Sequence, residues 1–74
     1  MSSFSQSHHE RLTERLVEEL SAMANHPDKT QKEIAELLNI SENTLRNNLK
    51  KVRDILDVPT TNAAIEYARD QQII

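Results

Sequence analysis

Apolar residues recur along the chain at the three- and four-residue spacing of amphipathic helices, in four stretches divided by short polar segments. The first stretch predicts a helix from Leu12 to about Asn25, with Thr13 as its N-terminal cap. Pro27 ends this helix, because proline has no backbone N–H and disfavours helical backbone in the residue before it. The apolar stripe of the helix consists of Leu12, Leu16, Val17, Leu20, Met23 and Ala24.

The second and third stretches form a closely spaced pair of helices. Thr30 and Glu33 make a T-x-x-E capping box, which predicts the start of a short helix that ends near Leu38. Asn39 follows, and asparagine tolerates the left-handed backbone that a tight turn between helices requires. Ser41 then caps the third helix. The predicted buried face of the second helix is Ile34, Ala35, Leu37 and Leu38.

The third helix, predicted over residues 42–56, has two distinct faces. Its apolar residues lie at i, i+4, i+7 and i+11 and define the side that faces the core. They are Leu45, Leu49, Val52 and Leu56. Polar residues at i, i+3, i+4 and i+7 project together from the opposite side. They are Asn43, Arg46, Asn47 and Lys50.

The fourth stretch predicts a helix from about Asn62 to Gln71, capped by Thr60 or Thr61. Three residues give it a narrow inward stripe, namely Ala64, Ile65 and Ala68. Four others are predicted to face away from the core, namely Ala63, Glu66, Tyr67 and Asp70. Val58 in the preceding loop and the terminal Ile73 and Ile74 are predicted to fold against the core.

Composition favours an all-α fold and excludes several classes of site. The chain has no Gly, so it has no glycine-rich loop for a nucleotide phosphate, and no Cys, so it has no disulfide or thiolate metal site. No nucleophile–histidine set suggests an enzyme, and we expect no cofactor. No apolar run approaches the roughly 20 residues that span a bilayer, and we expect a cytoplasmic protein.

The sequence predicts two regions of different character. Residues 1–11 are polar and aperiodic, and we expect a disordered N-terminal tail there. His8 and His9 lie in this region, but two adjacent histidines without further ligands do not make a metal site. Residues 12–74 form one small domain. Because a core of this size is only marginally stabilising, association with another chain is a reasonable expectation.

The charged residues are unevenly distributed. The net charge of the whole chain is −3, yet residues 29–53 hold six basic and three acidic residues, a local net charge of +3. The flanking segments, residues 10–28 and 54–74, each have a net charge of −3. An acidic protein can bind DNA when its basic residues are grouped, while acidic flanks weaken non-specific binding.

Three runs of residues match the pattern of one bacterial family in the same order. They are LTER at Leu12–Arg15, KEIA at Lys32–Ala35 and LNISENTLR at Leu38–Arg46. Together with Leu56–Val58 and the terminal isoleucines they resemble the LuxR/GerE-type helix-turn-helix transcription regulators over about residues 12–74. The resemblance implies a four-helix, winged-helix-like domain without a wing. It also implies the short, free-standing form that has only this DNA-binding domain.

Several positions depart from the family pattern and indicate a divergent member. Asp57 and Gln72 stand where the family has glycine, which leaves the geometry of these loops open. Glu19 replaces a valine, and Asn48 replaces a histidine. Asn48 could cap or pack rather than contact a base. Thr61 replaces an arginine.

The third helix has the side chains that major-groove recognition requires. Arg46 can bond guanine bidentately, Asn43 and Asn47 can bond adenine, and Lys50 can reach a guanine or a phosphate. The resemblance points the same way for Arg46, Asn47 and Lys50. Further side chains and backbone amides are candidates for contacts to DNA phosphates. These residues are Thr30, Gln31, Lys32, Thr44, Lys51 and Arg53. The alternative to DNA binding is that these polar and basic residues form an ordinary helix face exposed to solvent.

The resemblance also implies that the fourth helix pairs two copies of the chain, so that two third helices meet half-sites about one DNA turn apart. Ala63, Glu66, Tyr67 and Asp70 would then form the dimer interface. Tyr67 could instead cover only the edge of the core. Two further alternatives are an interaction module that binds another regulator, and a fold like the promoter-recognising region of sigma factors, which predicts association with RNA polymerase.

Overall fold

The computed structural model describes residues 12–74, which form four α-helices. The helices are α1 (Glu14–Asn25), α2 (Gln31–Leu37), α3 (Glu42–Leu56) and α4 (Thr61–Asp70). Residues 12–74 contain no β-strand, and the predicted all-α, four-helix fold is confirmed. The predicted disordered tail at residues 1–11, with His8 and His9, lies outside the described residues.

Every helix begins after a hydroxyl-bearing residue that accepts a hydrogen bond from a backbone N–H three residues later. These caps are Thr13, Thr30, Ser41 and Thr60. At Thr30 the predicted capping box is complete, because Glu33 N–H donates to Thr30 Oγ1 at 3.1 Å and Thr30 N–H donates to Glu33 Oε1 at 2.8 Å. A cap of this kind contributes about 1 kcal/mol. The caps therefore define the four helix starts locally.

Three helices end in the same way, with one left-handed residue and two backbone hydrogen bonds that reach back into the last turn. The left-handed residues are Asn39, Asp57 and Gln72, with φ of 62°, 57° and 58°. In α4, for example, Ile73 N–H donates to Ala68 O at 2.8 Å and Gln72 N–H to Arg69 O at 3.0 Å. This pattern is the Schellman motif, in which an apolar residue follows the left-handed one. The chain thus makes glycine-type helix ends without glycine.

One continuous core joins the four helices, and α3 packs against each of the other three. The fully buried large side chains of the core come from α1, α2 and α3, while the buried residues of α4 are only alanines. The core residues are Leu16, Leu20, Ala22, Ile34, Ala35, Leu45, Leu49, Val52, Ala64 and Ala68. Val58 and Ile74 pack against this core as predicted, whereas Ile73 remains exposed. The small α4 residues allow that helix to approach α1 and α3 closely.

Leu37 and Glu19 also differ from the sequence prediction. Leu37 was placed on the buried face of the second helix, but it is 56% exposed. Successive residues are about 100° apart around a helix, so Leu37 falls outside the side of α2 on which Ile34, Ala35 and Leu38 meet α1 and α3. Glu19 was not part of any predicted core, yet it is 1% exposed. It is buried because α1 is covered by three neighbouring helices rather than one.

Candidate nucleic-acid interface

The α2–α3 turn sets where α3 emerges from the core. Asn39 takes the left-handed conformation that the sequence predicted, and Ile40 N–H donates to Ala35 O at 3.0 Å. The Ile40 side chain packs against the core immediately before Ser41 starts the next helix. The turn is therefore anchored on both sides, and it directs the first turn of α3 to the surface.

The four predicted base-reading residues lie together on the exposed side of α3, opposite the buried leucines. Asn43, Arg46, Asn47 and Lys50 are all exposed. At 1.5 Å per residue, the seven steps from Asn43 to Lys50 span about 10 Å along the helix axis, which is the length of about three base pairs. This polar face can therefore contact a short run of consecutive bases if α3 enters a major groove.

Arg46 is engaged in an ion pair with Glu42 on the same face. Its Nη2 lies 3.3 Å from Glu42 Oε2, with 60% of the arginine side chain and 42% of the glutamate side chain exposed. Glu42 was not among the predicted site residues. Its i, i+4 spacing to Arg46 is the sequence signal that identifies such a pair.

Ser41 and Thr44 form a second local contact at the start of α3. Ser41 Oγ accepts from Thr44 N–H at 3.0 Å and donates to Thr44 Oγ1 at 2.8 Å. The Thr44 hydroxyl hydrogen is consequently available to a further acceptor. This geometry suits the predicted role of Thr44 as a donor to phosphate.

The other predicted phosphate contacts occupy different environments. Lys32 and Lys51 are exposed, whereas Gln31 is half-buried. Thr30 is exposed, but its N–H and its hydroxyl oxygen both serve the capping box. Arg53 is half-buried, and its Nη1 donates to Thr61 Oγ1 at 3.1 Å, so it links α3 to the start of α4. Lys32 and Lys51 are thus the cations of this group that have the freest access to a ligand.

Asn48 links α3 to the buried Glu19 of α1. Its Nδ2 donates to Oε2 of the buried Glu19 at 3.0 Å, and this bond connects α3 with α1. Glu19 Oε1 has no hydrogen-bond partner among residues 12–74. Asn48 therefore packs inward. Packing was one of the roles, beside capping, that the sequence left open for this residue.

The residues predicted for a dimer interface lie along α4. Glu66, Tyr67 and Asp70 are exposed and Ala63 is half-buried. Tyr67, which is 43% exposed, lines a shallow apolar groove between α1, α3 and α4. The other residues that line this groove are Leu12, Val17, Ile55, Leu56 and Ile73.

The described part of the chain offers neither a metal site nor a membrane span. Residues 12–74 hold no group of three or more His, Cys, Asp or Glu residues placed to bind a metal ion. No helix among them is long and apolar enough to cross a membrane.

Comparison with known protein families identifies one match. Residues 11–55, which include the first three helices up to the last turn of α3, match the model of the winged helix-turn-helix DNA-binding family. No curated protein and no solved structure gives a significant match to the chain. Because the matched residues are more than half of the chain, the protein belongs to this family and has a helix-turn-helix DNA-binding domain.

Proposed function

We propose that this member of the winged helix-turn-helix DNA-binding family is a sequence-specific transcription regulator without enzymatic activity, and that α3 reads the major groove. The observation that carries the proposal is the exposed face of α3, where Asn43, Arg46, Asn47 and Lys50 project from one side of a helix anchored at its start by Ser41. An α-helix fits the width of a B-DNA major groove, and the first residues of such a helix contact base edges.

Each residue of this face has a proposed role. Arg46 bonds the O6 and N7 atoms of a guanine, while Asn43 and Asn47 bond adenines. Lys50 reaches a guanine edge or a phosphate. Phosphate contacts come from a surrounding set of donors, which position the protein without reading sequence. This set is Thr30, Gln31, Lys32, Thr44, Lys51 and Arg53.

We further propose that residues 12–74 form a LuxR/GerE-type regulator domain of bacterial origin that acts in the cytoplasm. The motif runs in the first three helices support this assignment. The left-handed backbone at Asp57 and Gln72 supports it as well, because these two positions stand where the family has glycine.

We propose a homodimer through α4, with Ala63, Glu66, Tyr67 and Asp70 at the interface. The exposed Tyr67 supports this pairing, and so does the small size of the core. A two-fold dimer would place its two α3 helices at half-sites about one DNA turn apart. The second candidate function is a module that binds another regulator or RNA polymerase. It is favoured by the apolar groove beside Tyr67, which a partner protein could fill.

The experiment is selection of binding sites from random double-stranded DNA by the purified chain, followed by affinity measurements at several salt concentrations. Arg46→Ala should remove preference for one guanine, since a good base contact discriminates by about 1–3 kcal/mol. Lys51→Ala should weaken binding to all sequences and reduce the salt slope by about 1.

Arg69→Ala is the matched control, because it removes the same charge from α4. It should leave the selected sequence unchanged. If the chain selects no sequence while a partner regulator or polymerase binds it stably, the interaction module replaces the regulator as the function. If Arg46→Ala kept its preference for guanine, the result would contradict the base-reading role proposed for the exposed face of α3.

A further inference from the structure

Glu42 places a carboxyl group beside Arg46, at the edge of the face that is proposed to read DNA. It is the first residue of α3, one helical turn before Arg46, and the two side chains meet at 3.3 Å. Anionic groups next to DNA phosphates are unfavourable for binding in general. A glutamate at this position therefore requires an explanation beyond its favourable position at the positive end of the helix dipole.

The ion pair determines where the guanidinium of Arg46 lies. A helical residue that pairs with the residue four positions earlier points its side chain back toward the helix start. The helix start is the part of a recognition helix that lies deepest among the base edges. Arginine has five N–H donors, so one can remain with Glu42 while two others bond a guanine. Without its partner, the exposed Arg46 side chain would be free to turn toward a phosphate.

We propose that Glu42 is a specificity-determining positioning residue, which holds Arg46 toward the base edges and opposes its use as a general phosphate contact. This inference rests on the proposed function of α3. Glu42 lowers the affinity for DNA that lacks the recognised guanine, because its negative charge then faces the phosphates. It raises discrimination, because Arg46 is already arranged when the guanine is present.

The test compares the unmodified chain with Glu42→Gln on the selected site, on the same site with the Arg46-dependent guanine replaced, and on unrelated DNA. Glu42→Gln should reduce discrimination at that guanine by roughly twofold, which is the size of effect that an exposed i, i+4 ion pair supplies. Its affinity for unrelated DNA should rise, and its salt slope should steepen by about 1 as the freed Arg46 takes a phosphate. A merely structural role of Glu42 would leave discrimination at that guanine unchanged.

Asp54→Asn is the matched control, because it removes the same charge from an exposed position on the same helix. The twelve steps from Glu42 place it about 18 Å away along the axis, and it should not alter the guanine preference. In the Arg46→Ala background, Glu42→Gln should have no further effect on discrimination. Circular dichroism confirms that each variant is folded.

The two proposals fail in different ways. If the unmodified chain selects no DNA sequence, both are overturned. If it selects a guanine-containing site through Arg46 but Glu42→Gln discriminates equally well, only the role of Glu42 is overturned. Independent, additive effects of the Glu42 and Arg46 substitutions on discrimination would also overturn it.

Discussion

The burial of Glu19 in this small core can be tested by its effect on the stability of the domain. Glu19 is the one buried polar side chain among residues 12–74 and is 1% exposed. Asn48 Nδ2 donates to its Oε2 at 3.0 Å, but its Oε1 has no hydrogen-bond partner there. A buried polar atom without a partner loses its hydration and gains nothing in return. Replacing the carboxyl group by an apolar group of similar length should therefore stabilise the domain.

The change is Glu19→Met, because methionine is unbranched, about as long as glutamate and a good helix former. Removing the unpartnered oxygen relieves about 1–3 kcal/mol. The added apolar group contributes roughly 1 kcal/mol more. The lost bond from Asn48 costs about 1 kcal/mol, and the half-buried Asn48 side chain can then bond water. The net expectation is an increase of about 1–3 kcal/mol in the free energy of unfolding.

Urea and thermal unfolding measure this difference. For a domain of this size, each 1 kcal/mol corresponds to a rise in Tm of roughly 4–8 °C. Glu18→Met is the matched control, since it makes the same chemical change at the neighbouring exposed residue. The control should change stability by less than about 0.5 kcal/mol.

A double-mutant cycle examines the physical cause separately from the size of the effect. Asn48→Ala in the unmodified chain leaves both Glu19 oxygens without a partner, and should destabilise it by about 1–3 kcal/mol. In the Glu19→Met background the same change should cost less than about 0.5 kcal/mol. Destabilisation by Glu19→Met, or equal costs of Asn48→Ala in the two backgrounds, would refute the reasoning.

Two further substitutions test the helix ends and the limits of the core. Gln72→Gly should raise the free energy of unfolding by roughly 0.5–1 kcal/mol, because the left-handed backbone disfavours glutamine and the greater freedom of unfolded glycine offsets only part of the gain. Asn39→Gly is its control and should be nearly neutral in the same urea titration, since asparagine already tolerates this backbone. Leu45→Ala should cost about 2–5 kcal/mol, whereas Leu37→Ala should cost less than about 0.5 kcal/mol. Equal costs at Leu45 and Leu37 would contradict the burial described for α2 and α3.

Most of the local structure could be predicted from the sequence, because the interactions that create it connect residues close together in the chain. The capping box at Thr30 and the cap at Ser41 both depend on hydrogen bonds across three residues. The left-handed turn at Asn39 depends on the properties of that one residue. The grouping of Arg46 and Lys50 on one exposed side follows from helical periodicity alone.

The tertiary structure decided the features that depend on what each helix meets. Leu37 and Ile34 are equally apolar, but only the side of α2 that holds Ile34 faces another helix. Glu19 is buried and bonded to Asn48, although the two residues are 29 positions apart. Arg53 resembles a free cation in the sequence, yet it joins α3 to Thr61. No local pattern specifies such contacts, because their energies depend on distances between residues that are remote in the chain.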